Sequence, residues 1–163
     1  MSQNHWETQP RKDNGEFTFR YEFWKQKLIA MDEMNDNPEV SKKYDGGSAE
    51  VLHKKYRDIE DIQVHHMPSV YAYKNFKELK PEKGPSIAID KQDHKQTSSY
   101  KRGRKQDNFR KQQAKLLSQG HFLSAQEMDF KNLIRKFKAK YAKAMLEKLE
   151  YDKKLYDEGV IYG

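Results

Sequence analysis

The sequence contains no cysteine. Disulfide scaffolds, thiolate zinc sites and thiol nucleophiles are therefore excluded. It has no apolar run near the ~20 residues that a membrane-spanning helix needs. Its first residues lack the apolar core of a secretory signal. If the protein is exported, another part of a larger polypeptide or a dedicated machine is expected to carry it. Aliphatic side chains are scarce as well: hydrophobic residues make up only 35% of the 163, the same share as charged ones. That balance leaves part of the chain as exposed helix or linker. Ten Tyr, eight Phe and two Trp offset the shortage, because their rings can fill the core of one domain.

Charge is unevenly placed. The net charge is +7 and the pI about 9.3. Residues 1–50 hold seven Lys/Arg against ten Asp/Glu, whereas residues 74–115 hold thirteen against five. A basic segment of this kind suits a polyanionic partner such as nucleic acid. It is equally what a solvated helix face looks like.

Residues 1–15 are polar and unpatterned and read as a linker or tail, leaving 16–163 as a single domain. Phe17, Phe19, Tyr21 and Phe23 alternate with polar residues, which predicts a short extended piece. Phe23, Trp24, Leu28 and Met31 then fit a helix to about Met34. Asn-Pro and Gly-Gly punctuate the connection that follows. Ser48 is placed to cap a short helix through Tyr56, with Val51 and Leu52 inward. Ile59 to His66 reads as a strand, ended by Met67-Pro68. A long basic loop over 69–84, with Tyr71, Tyr73 and Phe76 as anchors, leads to a second strand at Ser86–Ile89. Asp90 is placed to cap a helix that runs through His94 toward Tyr100. Arg104 to Gln119 reads as a helix with Phe109, Leu116 and Leu117 inward, closed by Gly120. Ser124 and Glu127 form a capping box, flanked by Leu123 and Met128 as a staple. The apolar stripe Phe130, Leu133, Ile134, Phe137, Tyr141, Ala144, Met145 and Leu149 predicts one long last helix. The fold class expected is α+β and mostly helical, with a long C-terminal helix.

Three histidines carry the chemical signal: the pair His65-His66 at a strand end, and His94 on the helix after the second strand. Hydrolysing a phosphodiester needs an activated water, charge stabilisation at phosphorus and help for the leaving oxygen. One metal ion and one neutral imidazole can supply all three. Neighbouring residues on a strand point to opposite faces. A twist or bulge at the strand end would bring His65 and His66 to one site, one as ligand and the other as base. Asp90 and His94 share the i, i+4 spacing that puts two ligands on one helix face. Asp93 projects about 100° away and would orient a ligand by hydrogen bonding. Thr97 would bind phosphate or pack.

The segments H-H-M-P, G-P-S-I-A-I-D and D-H-K-Q-T, separated by a long loop, resemble the ββα-metal finger of the HNH/endonuclease VII nucleases. They look most like the nuclease domains at the C-termini of bacterial polymorphic toxins, and the histidine pair is similar to that of the nuclease colicins. The run from Gln119 through Met145 also looks like the helical tail of one such toxin group. The resemblance spans about Ile59 to Met145. It implies a metal finger over about 59–100 and a helical extension over 104–157. It implies that His65 and His94 ligate one divalent metal ion and that His66 is the general base. Asp90 stands where colicin nucleases have a further histidine ligand. Zinc, magnesium, manganese and nickel all suit a His/Asp site.

On this reading the protein is a metal-dependent endonuclease, with DNA slightly favoured over RNA. Lys74, Lys77, Lys101, Arg102, Arg104 and Lys105 would hold phosphates. It would be the toxic domain of a secreted antibacterial protein, delivered into a target cell to act in its cytoplasm. The producing cell would then need an acidic immunity protein as partner. The alternatives are a non-catalytic nucleic-acid-binding module, which explains the charge but not the histidines, and a helical interaction domain, which explains only the tail.

Overall fold

The computed structural model describes residues 15–73, 78–100 and 102–161. Among these, helices dominate, and one three-stranded antiparallel sheet lies in their midst. Helix α1 spans Glu16–Glu33 and α2 spans Pro38–Ser41; strand β1 is Gly46–Ser48 and helix α3 is Ala49–Tyr56. Strand β2 is Ile62–His66, β3 is Pro85–Asp90 and α4 is the single turn Lys91–His94. Helices α5 (Arg104–Ser118), α6 (Phe122–Phe137) and α7 (Ala142–Asp157) complete the chain. No described helix is long and apolar enough to cross a membrane.

The sheet order is β1-β3-β2, so β3 is central and β2 keeps one free edge. All three carry little sequence, and burial explains why they pair. Ile87, Ala88 and Ile89 of β3 are fully buried, so β3 is covered on both faces. Helix α3 packs on β2 and β3, and α7 packs on β1 and β3. Gly46 is what lets β1 approach α7: a Cβ there would run into the Ala144 carbonyl oxygen and the Lys148 amide. The β2–β3 register pairs Ile62 with Asp90, Gln63 with Ile89, Val64 with Ala88, His65 with Ile87 and His66 with Ser86. The two strands and α4 therefore form a ββα unit, as the spacing predicts.

Several expectations are corrected. The aromatics at 17–23 are helical from the start, because Phe17, Tyr21, Trp24 and Leu28 form one buried stripe at helical spacing. The alternating partners Phe19 and Phe23 point to solvent, 72% and 51% exposed. Ser48 does cap α3, its side chain accepting from the Val51 amide at 3.4 Å, and Leu52 is inward, but Val51 is exposed. The helix carrying His94 stops after one turn instead of running toward Tyr100. The Ser124 capping box does not form: α6 starts at Phe122 with no side-chain cap. Glu127 instead accepts from Arg20 (2.6 Å) and from the Trp24 indole (2.7 Å), tying α6 to α1.

The C-terminal apolar stripe is carried by two helices. Lys138 takes φ 57° and ends α6, and Ala139 to Tyr141 turn the chain before α7. Between α5, α6 and α7 lies a buried polar cluster. Lys148, fully buried, donates to Asp152 (2.6 Å) and to Gln126, while Gln126 donates to the other Asp152 oxygen (2.8 Å). Gln113 donates to Asp129 (2.7 Å) and to the Ala125 carbonyl (2.8 Å). A charge buried this deeply is tolerated only when paired and hydrogen-bonded.

Candidate active site

Gln63 and His65 are two apart on β2 and so share one face, while His66 lies on the other. His65 is only 3% exposed. The chain delivers His94 to the His65 face by closing β3 into the single turn of α4. The two rings stand 5.0 Å apart between centroids, inclined at 65°. His94 Nδ1 lies 2.7 Å from Gln63 Oε1. An amide oxygen can only accept, so Nδ1 carries the proton and Nε2 carries the lone pair. Tyr100 packs against His94, its ring 4.6 Å from that of His94. Thr97 is buried, and its hydroxyl donates to the His94 carbonyl at 2.8 Å, so it braces the turn instead of facing a phosphate.

The anchor of α4 comes from far along the chain. Lys140, in the break between α6 and α7, donates to Asp90 and to Asp93, each at 2.7 Å. The Tyr141 hydroxyl donates to Asp93 at 2.7 Å and accepts from the Asp90 amide at 3.0 Å. Tyr44 donates to the remaining Asp90 oxygen at 2.7 Å. Burial pushes the Asp90 carboxyl up, but Lys140 and Tyr44 outweigh it and hold the group below the usual range. This corrects the expectation that Asp90 is a metal ligand. Its register partner is Ile62, so it leaves the sheet on the face opposite His65, and both its oxygens are already engaged. Asp93 accepts from Lys140 and Tyr141 through one oxygen, and together the two carboxylates fix where α4 sits.

His66 is held separately. Its Nε2 lies 3.0 Å from the Pro81 carbonyl oxygen, which can only accept, so Nε2 carries the proton and Nδ1 is the basic nitrogen. Gly84 makes room for it: a Cβ there would meet the His66 ring and the Tyr73 hydroxyl. The His66 ring is 6.5 Å from that of His53, on α3. Thus the pair His65-His66 serves two sides of one strand end, without the shared direction that a bulge would give.

All three site histidines are held neutral. Burial drives His65 well below the ordinary value of 6.5, with the His94 and His66 charges adding to it. Burial lowers His94 to about 4, with His66 contributing. Burial also lowers His66, partly offset by its bond to Pro81. Neutral imidazole is the form that ligates a metal or accepts a proton. The free edge of β2 borders a groove of about 620 Å³, lined in part by His53, Arg57, Glu60, Gln63 and His94. His94 is therefore reachable from solvent, while His65 lies buried behind it.

Of the expected phosphate-binding residues, Arg102, Arg104 and Lys105 are exposed at and just before the start of α5. Lys74, Lys77 and Lys101 lie outside the described residues. Among the described residues no group of three His, Cys, Asp or Glu side chains is arranged to hold a metal. The donor set on the His65 face is two imidazoles. That suits a transition-type divalent ion, with its remaining positions left for water and phosphate oxygens. Gln63, His53 and Tyr100 were not singled out by the sequence pattern. Gln63 could have been, since the period of two puts it on the His65 face.

No family model matches the chain, and no curated protein or solved structure matches it either.

Proposed function

We propose that the protein is a metal-dependent endonuclease that hydrolyses phosphodiester bonds of nucleic acid, with DNA slightly favoured over RNA. The observation that carries this reading is the pairing of His65 with His94 on a ββα unit, with His66 next to it as a separately held neutral imidazole. His65 and His94 would hold one divalent ion; of the expected zinc, magnesium, manganese and nickel, two imidazoles favour zinc or nickel. When bound, such an ion supplies Lewis-acid stabilisation of the phosphoryl group and of the leaving oxygen. By the resemblance His66 would be the base, taking the proton from the attacking water at Nδ1 with the Pro81 carbonyl stabilising the imidazolium that results. Since His66 leaves β2 on the face opposite His65, this role requires the substrate to wrap the strand end. Gln63 keeps His94 in the tautomer that offers Nε2. Arg102, Arg104 and Lys105 hold the flanking phosphates by charge, with Lys74, Lys77 and Lys101 as further candidates.

The biological setting follows from the resemblance to polymorphic-toxin nucleases. The domain would be the toxic end of a secreted antibacterial protein and would act in the cytoplasm of the recipient cell. An acidic immunity protein would cover the basic site in the producer.

The test is incubation with plasmid DNA and with total RNA, across a series of divalent metals and with chelator. Metal-dependent cleavage that is lost in His66→Ala is the expected result. Binding without cleavage under every condition sinks the nuclease reading and leaves a nucleic-acid-binding module.

A further inference from the structure

The cations of α5 are placed differently from those of α7. Along α7 the lysines answer acids one turn away: Lys143 with Glu147 (3.2 Å), Lys148 with Asp152 (2.6 Å) and Lys153 with Asp157 (2.8 Å). Helix α5 has a single acidic residue, Asp107, and Arg110 holds it at 2.6 Å. At about 100° per residue, Arg104, Lys111 and Lys115 fall within about 40° of one another, with Lys105 on their flank. All four are exposed, as is Arg102 just before the helix. Among the described residues none of the five has an ion-pair partner. This placement works against the helix itself. Lys111 and Lys115 are like charges at i, i+4, which repel. Arg104 and Lys105 stand in the first turn, where the helix dipole disfavours cations. A face that only keeps a helix in solution would carry mixed pairs like those of α7.

We propose that the outer face of α5 is a track for the phosphate backbone of nucleic acid, with Lys111 and Lys115 extending the contact beyond the residues at its start. The stripe from Arg104 to Lys115 is about 16 Å long, the axial rise of about five nucleotides on one strand of a duplex. Asn108 and Gln112 are exposed on the same side and can donate to phosphate oxygens as well. A lipid surface fits this face less well, because an interfacial helix buries an apolar side. Here Leu117 is buried in the fold, and Phe109 and Leu116 are half-buried. The near end of the track is tied to the histidine site. Arg110 donates to the Ser99 carbonyl at 2.8 Å, and the next residue, Tyr100, rests on His94. Backbone contacts carry no sequence information; they set how much strand the protein grips. The track deepens the nucleic-acid reading above and shares its partner, but it does not depend on cleavage.

Binding without turnover tests it. Wild-type protein in chelator is titrated into two fluorescein-labelled DNA duplexes of unrelated sequence, read by anisotropy between about 50 and 200 mM salt. Both duplexes are expected to bind alike, with affinity falling steeply as salt rises. Lys111→Ala and Lys115→Ala should each weaken binding to both duplexes. Each should also lower the slope of log affinity against log salt by about 0.9. Alanine suits a helix, and thermal melting checks that each variant folds. Lys153→Ala, which removes a paired lysine from α7, should change neither affinity nor slope. An unchanged slope in either folded alanine variant of α5 overturns the proposal, as does an equal loss in Lys153→Ala. Binding to anionic phosphatidylserine vesicles with none to DNA overturns it too. If metal never brings cleavage but the slope falls as expected, the nuclease reading fails and the track stands. If cleavage occurs and the slope does not move, the reverse is true.

Discussion

His65 on β2 and His94 on α4 bring their rings to 5.0 Å, inclined at 65°, across 28 intervening positions. Neither ring is charged near neutrality, because burial holds both well below the ordinary histidine range. Two neutral imidazoles side by side are a waiting donor pair. Zinc or nickel added to the metal-free protein is expected to raise its melting temperature. The stabilisation should reach about 2.7 kcal/mol when free metal is one hundred times its dissociation constant. His65→Ala and His94→Ala are each expected to abolish that rise. A shift that persists in both variants would place the ion elsewhere.

The same two groups predict how stability changes with acid. In the unfolded chain each histidine protonates near 6.5, whereas folded His94 does so only near 4. Above about pH 6.5 both states are neutral and the fold keeps its full stability. As pH falls from about 6.5 towards 4, the unfolded chain takes up protons that the folded site refuses, so stability is lost. His94 should account for on the order of 2 kcal/mol once its partial solvent contact is discounted, and His65 should act in the same direction. Urea unfolding at a series of pH values measures this. A midpoint that stays level from pH 7 to 5 would contradict it.

His66 should dominate the pH dependence of turnover. Its pKa lies below 6.5 because burial outweighs the Pro81 bond, so the basic form persists into mildly acidic solution. Cleavage at saturating metal is expected to hold from pH 8 to below 6.5 and then fall on a single-proton limb. His66→Ala should lose about 10²–10⁴-fold in kcat/KM at every pH and with it that limb. A variant that keeps the limb would transfer the base role to another residue, such as His53, whose ring stands 6.5 Å from that of His66.

Much of this architecture was readable in the residues themselves, and the parts that were not share a cause. The β2 and β3 strands, the helix from Arg104 and its stop at Gly120 all follow from local period and local punctuation. Gly120 indeed sits at φ 82° just past the end of α5. Helix α1 was misread because Phe17, Phe19, Tyr21 and Phe23 satisfy a strand period as well as a helix period. Only tertiary burial decides between them. The break at Lys138 carries no Gly or Pro, so nothing local marks it. Its purpose becomes visible only with Asp90 and Asp93 in place, about fifty residues earlier, because the break is what presents Lys140 and Tyr141 to them. Asp90 had the right spacing from His94 for a ligand. Spacing along a helix could not show that the residue still belongs to β3 and leaves on its far face.

That clamp makes Lys140 a test of positioning. Lys140→Met removes the charge facing Asp90 and Asp93 while keeping the side chain's length. Tyr44 and Tyr141 would still donate to these carboxylates, so the fold should survive. The loss is expected to be about 1–3 kcal/mol, as for partly buried carboxylates deprived of a charged donor. The Asp90 carboxyl, now without its cation, should move up. Metal affinity should fall because α4, and with it His94, is less firmly held. Unchanged metal affinity in a folded Lys140→Met would mean that α4 needs no such anchor.

Gln63 gives the most specific readout, since its side chain's one described hydrogen bond is with His94 Nδ1, at 2.7 Å. Gln63→Leu keeps the volume and removes the acceptor. The Nδ1 proton then loses its partner, and the alternative tautomer, with its proton on Nε2, becomes competitive. Residues that orient a metal-bound histidine in this way are worth 10–100-fold in metal affinity. Gln63→Leu should therefore weaken metal binding by about 10–100-fold, measured by calorimetry, while nucleic-acid binding in chelator stays unchanged. Gln63→Glu keeps an acceptor oxygen and should retain or exceed wild-type metal affinity. If instead Gln63→Leu binds metal as the wild type does, His94 is not held through Nδ1, and its other nitrogen has no privileged role.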